Sequence, residues 1–339
     1  MRIIRRSSVL VLAFVLAVAL AVPTAQAARA HLPREVGVLA YSYVEALTRV
    51  VNPDGTETLI KRVAGTPAEL AAANQIKNWF VGSGVRRTTL QPFTYTRGTK
   101  TYNTQNVVAY LPAARKQKHE ATPLVIVGAH YDASSAGAGA DDNASGVAVM
   151  LETAARIAKY ERDYDIVFVA FGAEEVGLKG SAYYASQMSA ADRARTIAMI
   201  NYDSLIVGDK LYIHAGANAK TWARDDMLRI IRRRHLPIGM QPGLNPEYPA
   251  GLTPDGFSDY TAFNQAGIPV VAFESTNWEI GDLDGYEQTV LYGSFWHTPN
   301  DTLATIESYF PLRPIVRLEA YTDLTVQFLK HLEKPADHR

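Results

Sequence analysis

No cysteine occurs anywhere in the 339 residues. The chain therefore has no disulfides to hold it together and no thiolate to offer a metal, so a zinc site here must be built from His, Asp and Glu. An excess of charge of one sign is equally missing: 34 basic residues balance 34 acidic ones. Nothing in that balance favours nucleic acid or an anionic membrane as a partner. The one basic cluster, Arg229 with residues 232–235, falls at the end of a predicted helix beginning near Trp222, where cations complement the helix dipole. Two hydrolase signatures are absent as well. There is no G-x-S-x-G elbow for a serine nucleophile and no H-E-x-x-H for a thermolysin-like endopeptidase. No internal repeat, long linker or low-complexity tract divides the sequence, which reads as one domain.

The longest apolar run is confined to the amino terminus. Arg2, Arg5 and Arg6 precede an apolar run over 9–22, and Ala25-Gln26-Ala27 supplies small residues for cleavage. This is the three-part layout of a secretory signal peptide, and its core falls short of the ~20 residues a membrane span needs. The expectation is a signal peptide over 1–27, a catalytic domain over 28–339, and export to the periplasm or the medium without stable membrane association. Cleavage removes three arginines, leaving 31 basic residues against 34 acidic ones, a net charge of −3. The Arg5-Arg6 pair hints at twin-arginine export, but Ser7 and Ser8 follow where hydrophobic residues would fit better.

Along the rest of the chain, strand and helix signals alternate. Thr66 caps a predicted helix over 66–81, with Pro67 in its first turn, Glu69 completing a capping box, and Gly82 and Gly84 stopping it. The wholly apolar run at 124–127 has the signature of a strand buried on both faces, and 165–171 reads as another buried strand. Further strands are expected over 106–110, 197–202, 210–214 and 268–273, with helices over 146–160 and 258–266. A polar loop is expected over 112–122. This interleaving predicts an α/β fold: a central mixed, mostly parallel twisted sheet with helices on both faces.

Five potential metal ligands follow in order. His130 comes from PLVIVGAHYD, Asp142 from GADDNASG, Glu175 from FGAEEVGL, Asp203 from MINYDS and His297 from FWHTPNDT. Imidazoles and carboxylates suit zinc, and one carboxylate more than a single tetrahedral ion needs suggests a bridge between two ions. Glu174, beside a proposed ligand, is left free to act as a base. Asp132 can orient the His130 ring and raise its basicity. Most of these residues follow the carboxyl ends of apolar strands, where sites form in open α/β sheets. Taken singly, each segment also fits a bland role as turn, helix cap or solvated strand end. Asp141-Asp142-Asn143 could cap the helix after it, and Gly137, Gly139 and Gly146 permit a tight backbone path there.

The ordered set HYD, GADDNASG, FGAEEVGL, NYDS and HTPNDT resembles the two-zinc aminopeptidase family of secreted bacterial exopeptidases, over residues 123–302. The resemblance implies a zinc exopeptidase fold and two Zn2+ ions per chain, with Co2+ or Mn2+ as possible substitutes. It implies that Asp142 bridges the ions, that His130 and Asp203 complete one site, and that Glu175 and His297 complete the other. Glu174 would be the general base and Asp132 its neighbours' support. The implied activity is hydrolysis of the amino-terminal peptide bond of peptides or proteins. Where some relatives place a tyrosine before the last histidine to stabilise the oxyanion, this chain has Trp296. It also has Phe257 where some relatives carry an arginine.

The stretches NYDSLIVGDKLYIHAG, PGLNPEYPAG and ESTNWEIGDLDGYEQ resemble a narrower branch of that family whose members trim amino-terminal arginine, implying a preference for amino-terminal Arg or Lys. A pocket for such a side chain needs a carboxylate at its far end. The candidates are Asp255, Asp259, Glu274, Glu279, Asp282 and Asp284, with Asp255 and Asp282 first because each lies in loop-like sequence beside glycine. Two other readings are weighed against this one. A single-zinc glutaminyl cyclase of the same fold would cyclise instead of hydrolysing, and a non-catalytic peptide-binding relative would be expected to have lost ligands. All six positions are filled here, which favours the enzyme.

Overall fold

The computed structural model describes residues 35–115 and 121–332; the expected signal peptide lies outside them. A helix, α1 (Val38–Thr48), leads into a short hairpin of β1 (Arg49–Val51) and β2 (Glu57–Leu59). Helix α2 (Pro67–Gly82) begins as its sequence dictates: Thr66 accepts a hydrogen bond from the Glu69 amide. The Glu69 carboxylate reaches one residue further back than a capping box requires, to the amide of Gly65 at 2.6 Å.

An antiparallel pair follows, β3 (Arg87–Arg97) and β4 (Lys100–Leu111), and then the buried strand β5 (Leu124–His130). Helix α3 (Gly146–Ile157) crosses over to β6 (Asp165–Phe171), and α4 (Lys179–Gln187) and α5 (Ala190–Arg195) lead back to β7 (Thr196–Tyr202). The chain continues through β8 (Lys210–Gly216), α6 (Trp222–Arg234), β9 (Ile238–Gly239), β10 (Leu252–Thr253) and α7 (Tyr260–Gln265). It ends with β11 (Val270–Thr276), α8 (Leu303–Tyr309) and α9 (Arg313–His331).

Nine strands form one sheet in the order β10-β8-β11-β7-β5-β6-β4-β3, with β9 also paired to β8. Its centre, β11-β7-β5-β6, is parallel, while β8 against β11 and the β6-β4-β3 edge are antiparallel. The fold is thus α/β with a mixed sheet. Strand alternation splits the core into two layers. Val125, Val127 and Ala129 of β5 join the layer under α1, α2, α3 and α9. Leu124 and Ile126 face the opposite layer, with Phe263 of α7 and Ala185 of α4.

Strand β5 is the switch point. Its crossover leads to β6 on one side, and β6 then returns to β7 on the other. Connections that diverge in this way leave a crevice beyond the carboxyl ends of the strands.

Candidate active site

Each strand of the parallel centre delivers side chains into that crevice. His130 is the last residue of β5 and is buried, 1 % exposed. Two residues on, Asp132 turns its carboxylate onto the next strand end, accepting the amides of Glu174 at 3.0 Å and Glu175 at 3.2 Å. The His130 ring meets Asp132 mainly through the backbone: Nδ1 lies 3.2 Å from the Asp132 carbonyl oxygen and 3.6 Å from Oδ1. Asp132 therefore fixes the Glu174-Glu175 turn at least as much as it orients the imidazole.

The loop after β5 carries Asp142. Gly139 is left-handed with φ +65°, and a Cβ at Gly137 would lie 2.7 Å from the Thr298 carbonyl oxygen, so both glycines are needed. Asn143 performs the capping, accepting the Gly146 amide at 2.9 Å and donating to the Tyr202 carbonyl at 2.8 Å. Asp141 instead accepts the Ile206 amide at 2.6 Å and the Gln288 side chain. Asp203 follows β7; its Oδ2 accepts Ser258 Oγ at 2.6 Å. His297 approaches on the segment before α8 and is half exposed.

Donor atoms converge as two groups. His130, Glu174 and Asp203 each bring one donor atom within 4.8 Å of the others, and so do Asp142, Glu175 and His297. Asp142 joins the groups: its Oδ1 lies 3.2 Å from Nε2 of His130, and its Oδ2 3.2 Å from Nε2 of His297. Nε2 of His297 is also 3.0 Å from Glu175, and Nε2 of His130 is 3.3 Å from Asp203.

The electrostatics of this cluster are those of a cation site. Among the described residues, the two histidines are the only cationic partners within ion-pair distance of these carboxylates. Hydrogen bonds with Asp142 and Glu175 push His297 up to about 11. Burial opposes a charge on His130, yet Glu174 and Asp203 outweigh it and raise the ring well above its ordinary value. Burial pushes Glu174 well up against the pull of His130, helped by Asp259, Asp203 and Asp132. Glu175 Oε1 is buried without a hydrogen-bond partner. Packed carboxylates around two imidazoles, with one buried oxygen idle, fit zinc by donor type and by charge.

A cavity of about 260 Å³ opens over these groups. Trp296 lines it, and its indole Nε1 is buried with no acceptor. Of the acids proposed for a substrate pocket, Glu274 and Asp284 line the cavity; Asp255, Asp259, Glu279 and Asp282 do not. Asp255 is exposed and accepts Asn264 Nδ2 at 2.6 Å, an ordinary helix-side contact. Asp282 is exposed, and its carbonyl accepts Asn245. Asp259 is wholly buried behind the wall, where burial raises its carboxyl to about 7.

Sequence reasoning missed the scaffolding. Buried Arg62 donates to the carbonyls of Leu47, Tyr131, Ala138 and Gly139 at 2.7–2.9 Å, tying the β5 end to the Asp142 loop. The Asp301 carboxylate, inside HTPNDT, accepts the amides of Asp141 at 2.7 Å and Asp142 at 3.2 Å. Gln288 bridges Asp141 and the Phe295 amide, joining the two halves of the site.

Comparison with known proteins shows what the chain is similar to. The profile of peptidase family M28 matches residues 106–311. The alkaline phosphatase isozyme conversion protein of Escherichia coli is 33 % identical over 300 residues, covering 80 % of this chain and 86 % of its own length. Aminopeptidase YwaD of Bacillus subtilis is 32 % identical over 60 % of this chain, which spans only 40 % of that protein. The structure of a zinc aminopeptidase from Bacillus subtilis superposes with a TM-score of 0.69 at 19 % identity, over 91 % of this chain and 98 % of that one.

Proposed function

The chain belongs to peptidase family M28, and on that premise we propose that it is a zinc-dependent aminopeptidase that releases the amino-terminal residue of peptides or proteins. Asp142 carries this reading, because its two oxygens face different histidines at 3.2 Å each. One zinc would be held by His130, Asp203 and Asp142, the other by Glu175, His297 and the same Asp142; Co2+ or Mn2+ suits the same donors. When bound, zinc supplies the Lewis acidity that polarises the scissile carbonyl and activates water near neutral pH.

The remaining work falls to the chain's own groups. Glu174 takes the proton of the attacking water on a carboxylate oxygen and returns it to the leaving amine nitrogen. Asp132 holds Glu174 in place through its backbone amide. An acidic and aromatic cavity beside this centre supports a preference for amino-terminal Arg or Lys. The amino-terminal layout over 1–27 supports export to the periplasm or the medium.

The test is hydrolysis of aminoacyl amides by the purified protein, with and without chelator, beside Glu174→Gln. Chelation should abolish release of the amino-terminal residue, and the variant should lose about 10²–10⁴-fold in kcat while keeping its zinc. Full activity in the variant would put the base elsewhere.

A further inference from the structure

One wall of the cavity holds an acid that the hydrolytic chemistry does not use. Strands β11 and β7 run in parallel with Phe273 beside Tyr202. The next residues, Glu274 and Asp203, therefore leave neighbouring strands side by side, about 4.8 Å apart by strand spacing. On the other flank, β8 places Tyr212 opposite Glu274 and His214 opposite Ala272.

The Glu274 carboxylate is fixed by one oxygen only. Its Oε1 accepts His214 Nε2 at 2.8 Å and the indole N–H of Trp278. A carboxylate accepts and does not donate here, so the His214 proton sits on Nε2; Nδ1 is buried with no partner. Among the described residues, none donates a hydrogen bond to Oε2 and no Lys or Arg lies within ion-pair distance. About a fifth of the side chain (21 %) is exposed, and it opens on the cavity. Tyr260, Phe257 and Tyr286 line the same space. A rigid carboxylate with one free oxygen and aromatic faces around it is a receptor for an organic cation.

We propose that Glu274, locked by His214 and Trp278, recognises the guanidinium or ammonium group of an amino-terminal Arg or Lys side chain. The assignment rests on the aminopeptidase reading and gives its side-chain preference a physical source. Asp284 also lines the cavity, but its Oδ1 accepts only the Tyr286 amide, at 2.9 Å, with no side chain among the described residues fixing it.

Arginyl, lysyl and leucyl nitroanilides tested on the zinc-loaded protein, Glu274→Gln and Asp284→Asn decide the matter. Gln keeps an oxygen for both ring donors and removes only the charge. The wild type should favour the basic substrates, and Glu274→Gln should lower the arginyl-to-leucyl ratio of kcat/KM by about 10–100-fold, the worth of a charged hydrogen bond. An unchanged ratio overturns the proposal. So does an equal loss on all substrates, which would mean that Glu274 holds the α-amine, and so does a collapse of the ratio in Asp284→Asn alone. A wild type that does not favour basic residues removes the side-chain preference while leaving the aminopeptidase intact. No turnover of any substrate would instead sink the aminopeptidase reading itself.

Discussion

Asp301 lies in the same short motif as His297 yet faces the other way, using its two oxygens to accept the amides of Asp141 and Asp142. Truncating it leaves two buried N–H groups without acceptors and frees the backbone that aims the Asp142 carboxylate. Asp301→Ala should weaken zinc binding about 10–100-fold, as loss of support behind a ligand commonly does, measured by competition with a chelating indicator. Unaltered zinc affinity would show that these amides do not set the position of Asp142. The contrast between the two residues also marks what a sequence discloses at this scale. The structure brings His130, Asp142, Glu175, Asp203 and His297 together, as their ordered set of motifs suggested, although each segment taken alone also fits a turn, a cap or a solvated strand end. Asp301 and Arg62 were not singled out, and Glu274 was ranked behind Asp255 and Asp282, because a buried charged group that bonds to backbone or to ring N–H has the same local sequence as an exposed one. Asp255 and Asp282, favoured for their loop-like surroundings, stand outside the cavity for that reason.

At the scale of elements, α2 was read from its cap, its first-turn proline and its stopping glycines, and the buried parallel strands from their apolar runs. The β3–β4 hairpin was only partly visible. Residues 107–111 of β4 pair with β6 in the interior, and these nearly coincide with the predicted strand. The rest of the hairpin alternates exposed Thr, Lys and Arg with a few buried positions, a weak apolar signal.

The α2 cap carries a pH dependence. Burial raises Glu69 to about 7, while Thr104 and the amides of Gly65 and Ala173 favour its charged form and Asp132 disfavours it. A carboxyl raised by folding favours the protonated native state. Its stabilisation is therefore full below the ordinary value of about 4.5 and is lost as pH rises through about 7. Thermal melts from pH 4.5 to 8 should show Glu69→Gln losing less stability across that window than the wild type. Parallel curves would mean that Glu69 does not titrate there.

Seen as a whole molecule, the site depends on a strand order that no local pattern encodes. β11, β7, β5 and β6 are scattered through the sequence but adjacent in the sheet, so ligands 155 residues apart (297 − 142), Asp142 of the β5 loop and His297 before α8, meet at one crevice. Alternation of strand and helix was enough to foresee layered α/β packing; the antiparallel β8–β11 contact that brings His214 to Glu274 was not. No helix among the described residues is long and apolar enough to cross a membrane. We propose that one shared carboxylate, Asp142, couples two zinc sites in this aminopeptidase. The most direct test is to titrate zinc into metal-free protein while following both bound metal and aminoacyl-amide hydrolysis. We expect two zinc ions per chain at full activity, with both binding steps weakened in Asp142→Asn; saturation at one zinc with full activity would show that Asp142 does not join two ions.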